Sequence, residues 1–403
     1  MVTCSSPKGR SRSREPWRTY GLENNLVITR NVNRAYDDSF AVEGAKIGST
    51  LRIRLPDRSL VTDGAALQVQ DVSQQQVTLT VDSQKHVGVN FTTAELTMSL
   101  DDFADRVLKP RISQLAASID ADVANSYKNI FHSVGTPGTT PATSLVLLQA
   151  QQKMNESAAV ASPRYLTVNP AANAGLVEGM KGLFNPVSTI SRQFKSGLMG
   201  EGILGFEELA MSQSMKVHTT GDWGTAIEVD GTTTTQGTSQ LNITFTGSAK
   251  TWKIGDVFTM QGVYAVNPQT RESTGSLQQF VVTEDLTASS TGTLKFAPAL
   301  YTAAHPLATV DAFPANDADI TMLGSAASQY PQNMAYHRDA ITFATADLIM
   351  PQGVDMASRQ VHNGISMRIV RQYDINNDRL PCRIDVLYGY KVIRPEMAVR
   401  VWG

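Results

Sequence analysis

Few residues in this chain stand at spacings that do chemistry. Gly200-Glu-Gly202-Ile-Leu-Gly205 has the glycine spacing of a dinucleotide-binding turn, in which backbone N–H groups approach a pyrophosphate. Such a turn needs a strand before it and a helix opening from it. Phe194-Lys-Ser-Gly-Leu-Met is a poor strand and the residues downstream are threonine-rich, so a tight loop is expected instead. His337-Arg338-Asp339 resembles the start of a kinase catalytic loop, but Ala344 stands where an asparagine must hold magnesium. Neither a Gly-x-Ser-x-Gly elbow nor a His-Glu-x-x-His zinc motif occurs. His86, His132, His218, His305, His337 and His362 show no ligand spacing. Asn316, Asp317 and Asp319 supply part of a cation loop, short of the six or more oxygens calcium needs. The carboxylate pairs Asp37-Asp38, Asp101-Asp102 and Glu207-Glu208 are consecutive, so on a strand or helix their side chains diverge. No catalytic group, cofactor or metal is expected.

Composition points the same way. The chain has 403 residues, 41% of them hydrophobic, with 35 basic against 37 acidic side chains. That length supports two or three domains with cores of their own. A balanced charge gives no global field toward nucleic acid or membrane. Only 18% of residues are charged, which favours packing against other protein surfaces. Cys4 and Cys382 lie far apart and lack metal spacing, so free thiols are expected. No long apolar run predicts a membrane span, and no apolar segment near residue 1 predicts a secretory signal. The sequons at Asn90 and Asn242 mean nothing without secretion.

The elements follow from periodicity. Residues 1–45 form an arm whose first part is basic: Lys8, Arg10, Arg12, Arg14 and Arg18 against Glu15. It is read either as touching phosphates or as a leader without fixed structure. Residues 46–95 hold two alternating runs, Leu51–Leu55 and Val77–Val81, around a polar excursion. A hairpin this long cannot bury both faces in its own mass, so it rests on its parent domain or on a neighbouring subunit. Arg52, Arg54, Asp57, Arg58, Asp63 and Asp71 there mix both signs. They form either a solvated loop or a docking surface for complementary charges. Apolar residues from Leu108 to Ile130 recur at spacings of three and four, predicting a helix from Ser99 to Phe131 within 96–135. Ser99 and Asp102 would cap it, and Pro110 should kink or break it.

Residues 136–216 alternate helix and strand: helices over Thr143–Ala159 and Pro170–Leu183, strands over Arg164–Val168 and Phe206–Met211. From 217 to 335 the chain turns Thr-, Ser- and Gly-rich. Short strands are expected at Ala226–Val229, Asn242–Thr246, Val257–Met260, Gln279–Thr283 and Thr293–Phe296, with a loop over Gly231–Gln240. Such spacing predicts a small inserted β-barrel or sandwich. Its Trp223, Trp252, Tyr264 and Tyr301 offer rings on which sugars could stack. That gives a second reading, a carbohydrate-binding phage or surface adhesin. Residues 336–403 return to α/β patterning, with a strand over Gly364–Tyr373 and a turn at Asp374–Asp378. Cys382, Ile384, Val386, Tyr388, Tyr390 and Val392 recur with period two. They predict a strand with one buried face, the other face carrying Arg383, Asp385 and Lys391, and Gly389 marking a bulge or close approach.

Three stretches in order resemble one family. Tyr36-Asp37-Asp38 with Gly44–Gly48 and Leu51-Arg-Ile-Arg is similar to the start of an extended loop. Trp252-Lys-Ile-Gly-Asp256, Gly262-Val263 and Phe280-Val-Val are similar to an inserted β-domain. Leu387-Tyr388-Gly389 through Arg394-Pro395-Glu396 is similar to a C-terminal strand. Together they resemble the major coat proteins of tailed phages, in the group typified by the short-tailed Salmonella phage coat protein. The resemblance implies an α+β, tailed-phage/herpesvirus-type capsid fold with a spine helix, peripheral and axial domains, an extended hairpin and an inserted β-domain. It also implies self-assembly as hexamers and pentamers of an icosahedral shell in the bacterial cytoplasm. A scaffolding protein, a portal protein, a decoration protein and packaged double-stranded DNA are the implied partners, with no membrane. Arg394 and Glu396 are then expected near a subunit boundary, and the strand from Cys382 is expected to close the peripheral sheet beneath the helix. The basic arm departs from the family's usual start.

Overall fold

The computed structural model describes residues 26–36, 50–61, 64–65, 69–70, 74–90, 109–180, 200–362 and 365–403.

The strand Cys382–Val392 lies inside an antiparallel sheet rather than closing it. Ser83–Val89 runs along one side. On the other side Ile365–Arg371 covers its first half and Ile341–Ala346 its second. Met356–His362 pairs outward from Ile365–Arg371. An 11-residue strand is longer than its neighbours, so one edge accepts two partners in succession. The turn before it forms as expected: Asp374 accepts from the Asn376 N–H (3.0 Å) and the Asn377 amide (2.7 Å).

Its apolar face is buried as the alternation requires, with Cys382, Ile384, Val386, Tyr388 and Val392 all in the core. Asp385, expected on the polar face in solvent, is completely buried. Arg368 grips it with Nε (3.0 Å) and Nη2 (2.6 Å), Arg383 adds Nε (3.1 Å), and Gln84 adds its amide (3.1 Å). Two flanking guanidiniums make burial of the carboxylate tolerable.

The helix Lys109–Ala124 packs on the apolar face through Ile112, Leu115, Ile119 and Val123. Asp122 fastens it, accepting from Tyr388 Oη (2.5 Å) and pairing with Lys85 Nζ (2.6 Å). The helix tightens to a 3-10 turn over Asn125–Asn129 instead of continuing to Phe131. Its described length is about 24 Å. The expected beginning at Ser99–Asp102 lies outside the described residues.

A second, mixed sheet orders Ser133–Val134, Ala398–Val401, Met334–His337, Arg164–Val168, Phe206–Met211 and Gly200–Ile203. Its helices Ser144–Glu156 and Pro170–Met180 match the expected ones at their starts. The Gly200–Gly205 motif is a hairpin turn, with Leu204 and Gly205 at positive φ and a strand, not a helix, beyond it.

The β-rich stretch from 217 builds a six-stranded sheet and smaller pairs around a separate core. Phe258, Phe280 and Phe296 pack ring to ring at 5.3–5.9 Å. Its strands outrun expectation: Thr238–Thr246, Val257–Val266, Ser273–Val282 and Thr291–Leu300. Register shifts between Thr259 and Val266, with Gly262 and Gly275 at positive φ, interrupt the alternation and hide the full lengths. The expected loop over Gly231–Gln240 is also shorter, since Thr238 already pairs with Leu300.

Candidate assembly surfaces

The hairpin is the first surface. Thr50–Arg54 pairs with Gln76–Thr80, Arg52 opposite Thr78. Ile53, Leu79 and Val81 anchor its base against Ala344 and Ile393. Beyond Leu55 the regular ladder gives way, and Gln70 takes over by bonding both the Leu60 N–H and the Leu60 carbonyl at 2.7 Å. Val61 and Val69 are 92% and 84% exposed.

The charged residues of the hairpin fall in three groups. Arg52 and Arg54 are exposed, Arg54 reaching the Gln74 side chain at 3.4 Å. Asp57 accepts from the Arg58 N–H (3.0 Å). Arg58 pairs with Glu396 of the same chain at 3.4 Å. Arg271 gives Nη2 to the Ser59 carbonyl (2.8 Å). Arg394 is half-buried beside Met397. Two of the residues proposed for a subunit boundary, Arg58 and Glu396, thus hold each other within one chain, which the sequence does not show. A cleft of about 580 Å³ separates the hairpin base, the turn at Ile393–Met397, the end of the Ser144–Glu156 helix and the β-rich region. Asp63, Asp71, Lys8, Arg10, Arg12, Arg14 and Arg18 lie outside the described residues.

The β-rich region is seated on the rest by contacts the sequence did not show. Gln279 accepts from the Ser133 N–H (2.7 Å) and donates to the Ser133 carbonyl (3.0 Å), replacing a missing strand. Arg400, wholly buried, gives Nη1 to the Gly255 carbonyl (2.6 Å) and lies over the Tyr127 ring at 5.3 Å. Burial pulls its pKa down to about 10, against the pull of Tyr127 and Asp256. His218 bridges Tyr127 Oη (3.2 Å) and Asp256 (2.8 Å). Asp256 also accepts the Gly221 and Lys253 N–H groups. This resembles a catalytic relay, but the histidine and aspartate are buried. Its role is to join two cores.

His132, beside this seat, bonds Ser157 at 2.8 Å. Burial, and secondarily Lys153, hold its imidazole well below the usual range. An unfolded imidazole protonates near ~6.5, so the folded state keeps its advantage above that pH and loses it as pH falls. Urea midpoints should drop between pH 7.5 and 5.5, with a slope from this residue approaching about 1.4 kcal/mol per pH unit. His132→Gln should flatten that drop. An unchanged slope would refute the assignment.

The segment 26–36 is stitched down at several points. Asp120, buried in the helix, accepts from the Ile28 and Thr29 N–H groups (2.9 and 3.0 Å) and from Ser212. Desolvation raises its pKa. Arg30 and Asn31 both reach Glu208. Asn33 reaches Asp339 at 2.6 Å.

Of the four aromatic residues offered for sugar stacking, Tyr264 alone is exposed, at 38%, so they share no broad open face. Trp252 is fully buried in the core, and Trp223 packs against that core. Tyr301 stacks on His305 at 4.5 Å. Among the described residues no group of three His, Cys, Asp or Glu side chains gathers to hold a metal. No described helix is long and apolar enough to cross a membrane.

A comparison with curated protein sequences finds no match. A solved structure from Mycobacterium phage Che8 is similar in fold, at 12% identity, covering 93% of this chain and 90% of that one, with a TM-score of 0.51. The capsid of cyanophage P-SCSP1u (11% identity, 92% and 88% covered, TM-score 0.43) and the mature capsid of bacteriophage PhiM1 (12%, 89% and 82%, 0.42) are more distant likenesses. Across residues 19–403 the sequence matches the family described as P22 coat protein, gene protein 5. That match spans both core sheets, the hairpin and the β-rich region, and by it the chain belongs to the P22 coat protein family, as the major capsid protein of a tailed phage.

Proposed function

We propose that the chain forms its shell through the hairpin, whose outer end lies on an adjacent subunit. The shell is icosahedral, built of hexamers and pentamers, assembled in the host cytoplasm around a scaffolding protein and a portal. It encloses double-stranded DNA and can take a decoration protein outside. The observation that carries the reading is the pair Val61 and Val69, bare on a ribbon that is anchored at its base and as far out as Ser59. Burying two valines contributes about 3 kcal/mol or more per contact, and shell symmetry repeats it in every subunit.

The parts of the subunit follow the same reading. Residues 1–45 form the arm, with Lys8, Arg10, Arg12, Arg14 and Arg18 toward DNA, and 46–95 the extended loop. Residues 96–135 carry the spine helix, 136–216 the axial domain, and 217–335 an inserted β-domain that stabilises the subunit. Residues 336–403 return to the axial and peripheral sheets. Its separate aromatic core and its seat on Ser133 and Arg400 support treating 217–335 as a unit. Arg52, Arg54, Asp57, Asp63 and Asp71, with Arg58, Arg394 and Glu396 at the joint, are the proposed charges at the boundary.

Co-expression with a scaffolding protein, read by negative-stain microscopy, tests this. Wild type is expected to give closed shells. Val61→Asp with Val69→Asp should abolish them while leaving the subunit's melting temperature unchanged. Normal shells from the double variant would overturn the hairpin contact.

A further inference from the structure

The face of the C-terminal sheet turned away from the Lys109–Ala124 helix is an open groove of about 870 Å³. Three arginines line it, Arg368, Arg379 and Arg383, with His86 and the amides of Gln84, Asn90, Gln372 and Asn377. Cross-strand register sets this row: Arg368 stands opposite Asp385, and Asp385 opposite His86. Val89, Val370, Pro351 and Pro381 also line it, but no aromatic side chain does, so it lacks the Trp and Tyr anchors that dominate protein interfaces.

Asp385 organises the positive charge from beneath. Completely buried, it takes Nε and Nη2 of Arg368 and Nε of Arg383. Arg368 is thereby spent, its Nη1 also donating to the Ile349 carbonyl (2.5 Å). Arg383 is different. Its side chain is 46% exposed, and its terminal nitrogens make no hydrogen bond among the described residues. A guanidinium held by one edge with its other N–H groups in solvent is preorganised for an anionic oxygen. Arg379 is exposed nearby. The adverse group is Asp374, whose carboxylate is held in its own turn through Asn376 and Asn377 and whose charge also acts on Arg379.

We propose that this groove is a nucleic-acid contact that takes backbone phosphates, with Arg383 and Arg379 as the phosphate ligands and Asp385 as the residue that positions Arg383. Arginine with amide side chains, and no aromatic anchor, is the chemistry of sequence-independent backbone contacts. The inference rests on the reading that the shell encloses double-stranded DNA.

The test is fluorescence anisotropy of full-length subunits with a labelled mixed-sequence duplex between 50 and 200 mM salt. Arg383→Gln and Arg379→Gln should each reduce the slope of log K against log salt by about one and weaken binding at the low-salt end about fivefold. Lys295→Gln, a matched loss of charge on the β-rich region, should leave the slope unchanged. Equal slopes for wild type and both groove variants would overturn the proposal. So would arginine-dependent stabilisation by inorganic phosphate with an unaltered duplex curve, which would mark a free-phosphate site. Displacement of the duplex by polyglutamate at matched charge and salt, lost in the same variants, would instead mark an acidic protein partner. Any basic contacts elsewhere in the chain are common to all variants and cancel. Shell formation by the groove variants, seen by microscopy, separates failure of the groove from failure of the capsid reading.

Discussion

Replacing Asp385 by alanine is expected to destabilise the subunit by about 3–5 kcal/mol, the cost of removing one partner from a buried ionic cluster. The geometry places that cost chiefly on Arg368, whose side chain is only 17% exposed and which would lose both bonds to the carboxylate. Arg383 can turn into water and should contribute little. Asp385→Asn keeps the volume and part of the hydrogen bonding, so it should cost less. Asp385→Leu combined with Arg368→Met should recover much of the loss, because the charge and its orphan leave together. Urea unfolding of the three variants measures this. A loss under about 1 kcal/mol for the alanine variant would show that the cluster is not what holds the central strand in register.

Gly389→Ala is expected to cost about 3 kcal/mol or more, the high end of overpacking. A Cβ there would sit 1.9 Å from the Thr80 carbonyl oxygen and 2.8 Å from its carbon. Both are backbone atoms, so no side chain can swing away. The hairpin strand Gln76–Thr80 crosses the C-terminal strand at this point, and a methyl group would lift it. Because Leu79 and Val81 anchor the hairpin base, the variant should expose the hairpin to proteolysis as well as lower the urea midpoint. Wild-type stability together with wild-type protease resistance would contradict the close approach.

These two positions show what the sequence reveals and where it is silent. Gly389 is legible: a glycine inside a period-two strand marks a bulge or a close approach, and the close approach is found. The buried face of Cys382–Val392 is equally legible, since alternation is a local property. Asp385 is not, because its burial depends on Arg368, which reaches it from another strand. The centrality of the strand is hidden because, although Ile365–Arg371 is its neighbour in sequence, the opposite edge is filled by Ser83–Val89 from far along the chain. In the β-rich region the aromatic core is visible as composition, but bulges at Thr259–Val266 break the pattern and shorten the apparent strands. For the candidate surfaces, unlike charges in the hairpin are plain. That Arg58 meets Glu396 across 338 residues is not, and neither is the Gln279 grip on Ser133, made by an uncharged side chain that no motif marks.

The place of Cys382–Val392 has a consequence for synthesis on the ribosome. Gln84 and Asp385, bonded in the finished sheet, are 301 residues apart. At about 5–20 residues per second, the strand Ser83–Val89 waits roughly 15–60 seconds for its partner to be made. During that interval its edge, and the edge of Ile341–Ala346 once made, stay open to strands of other nascent chains, which at high expression are other copies of itself. The central sheet therefore closes only once Cys382–Val392 has been made, and a helper that shields those edges until then would raise yield.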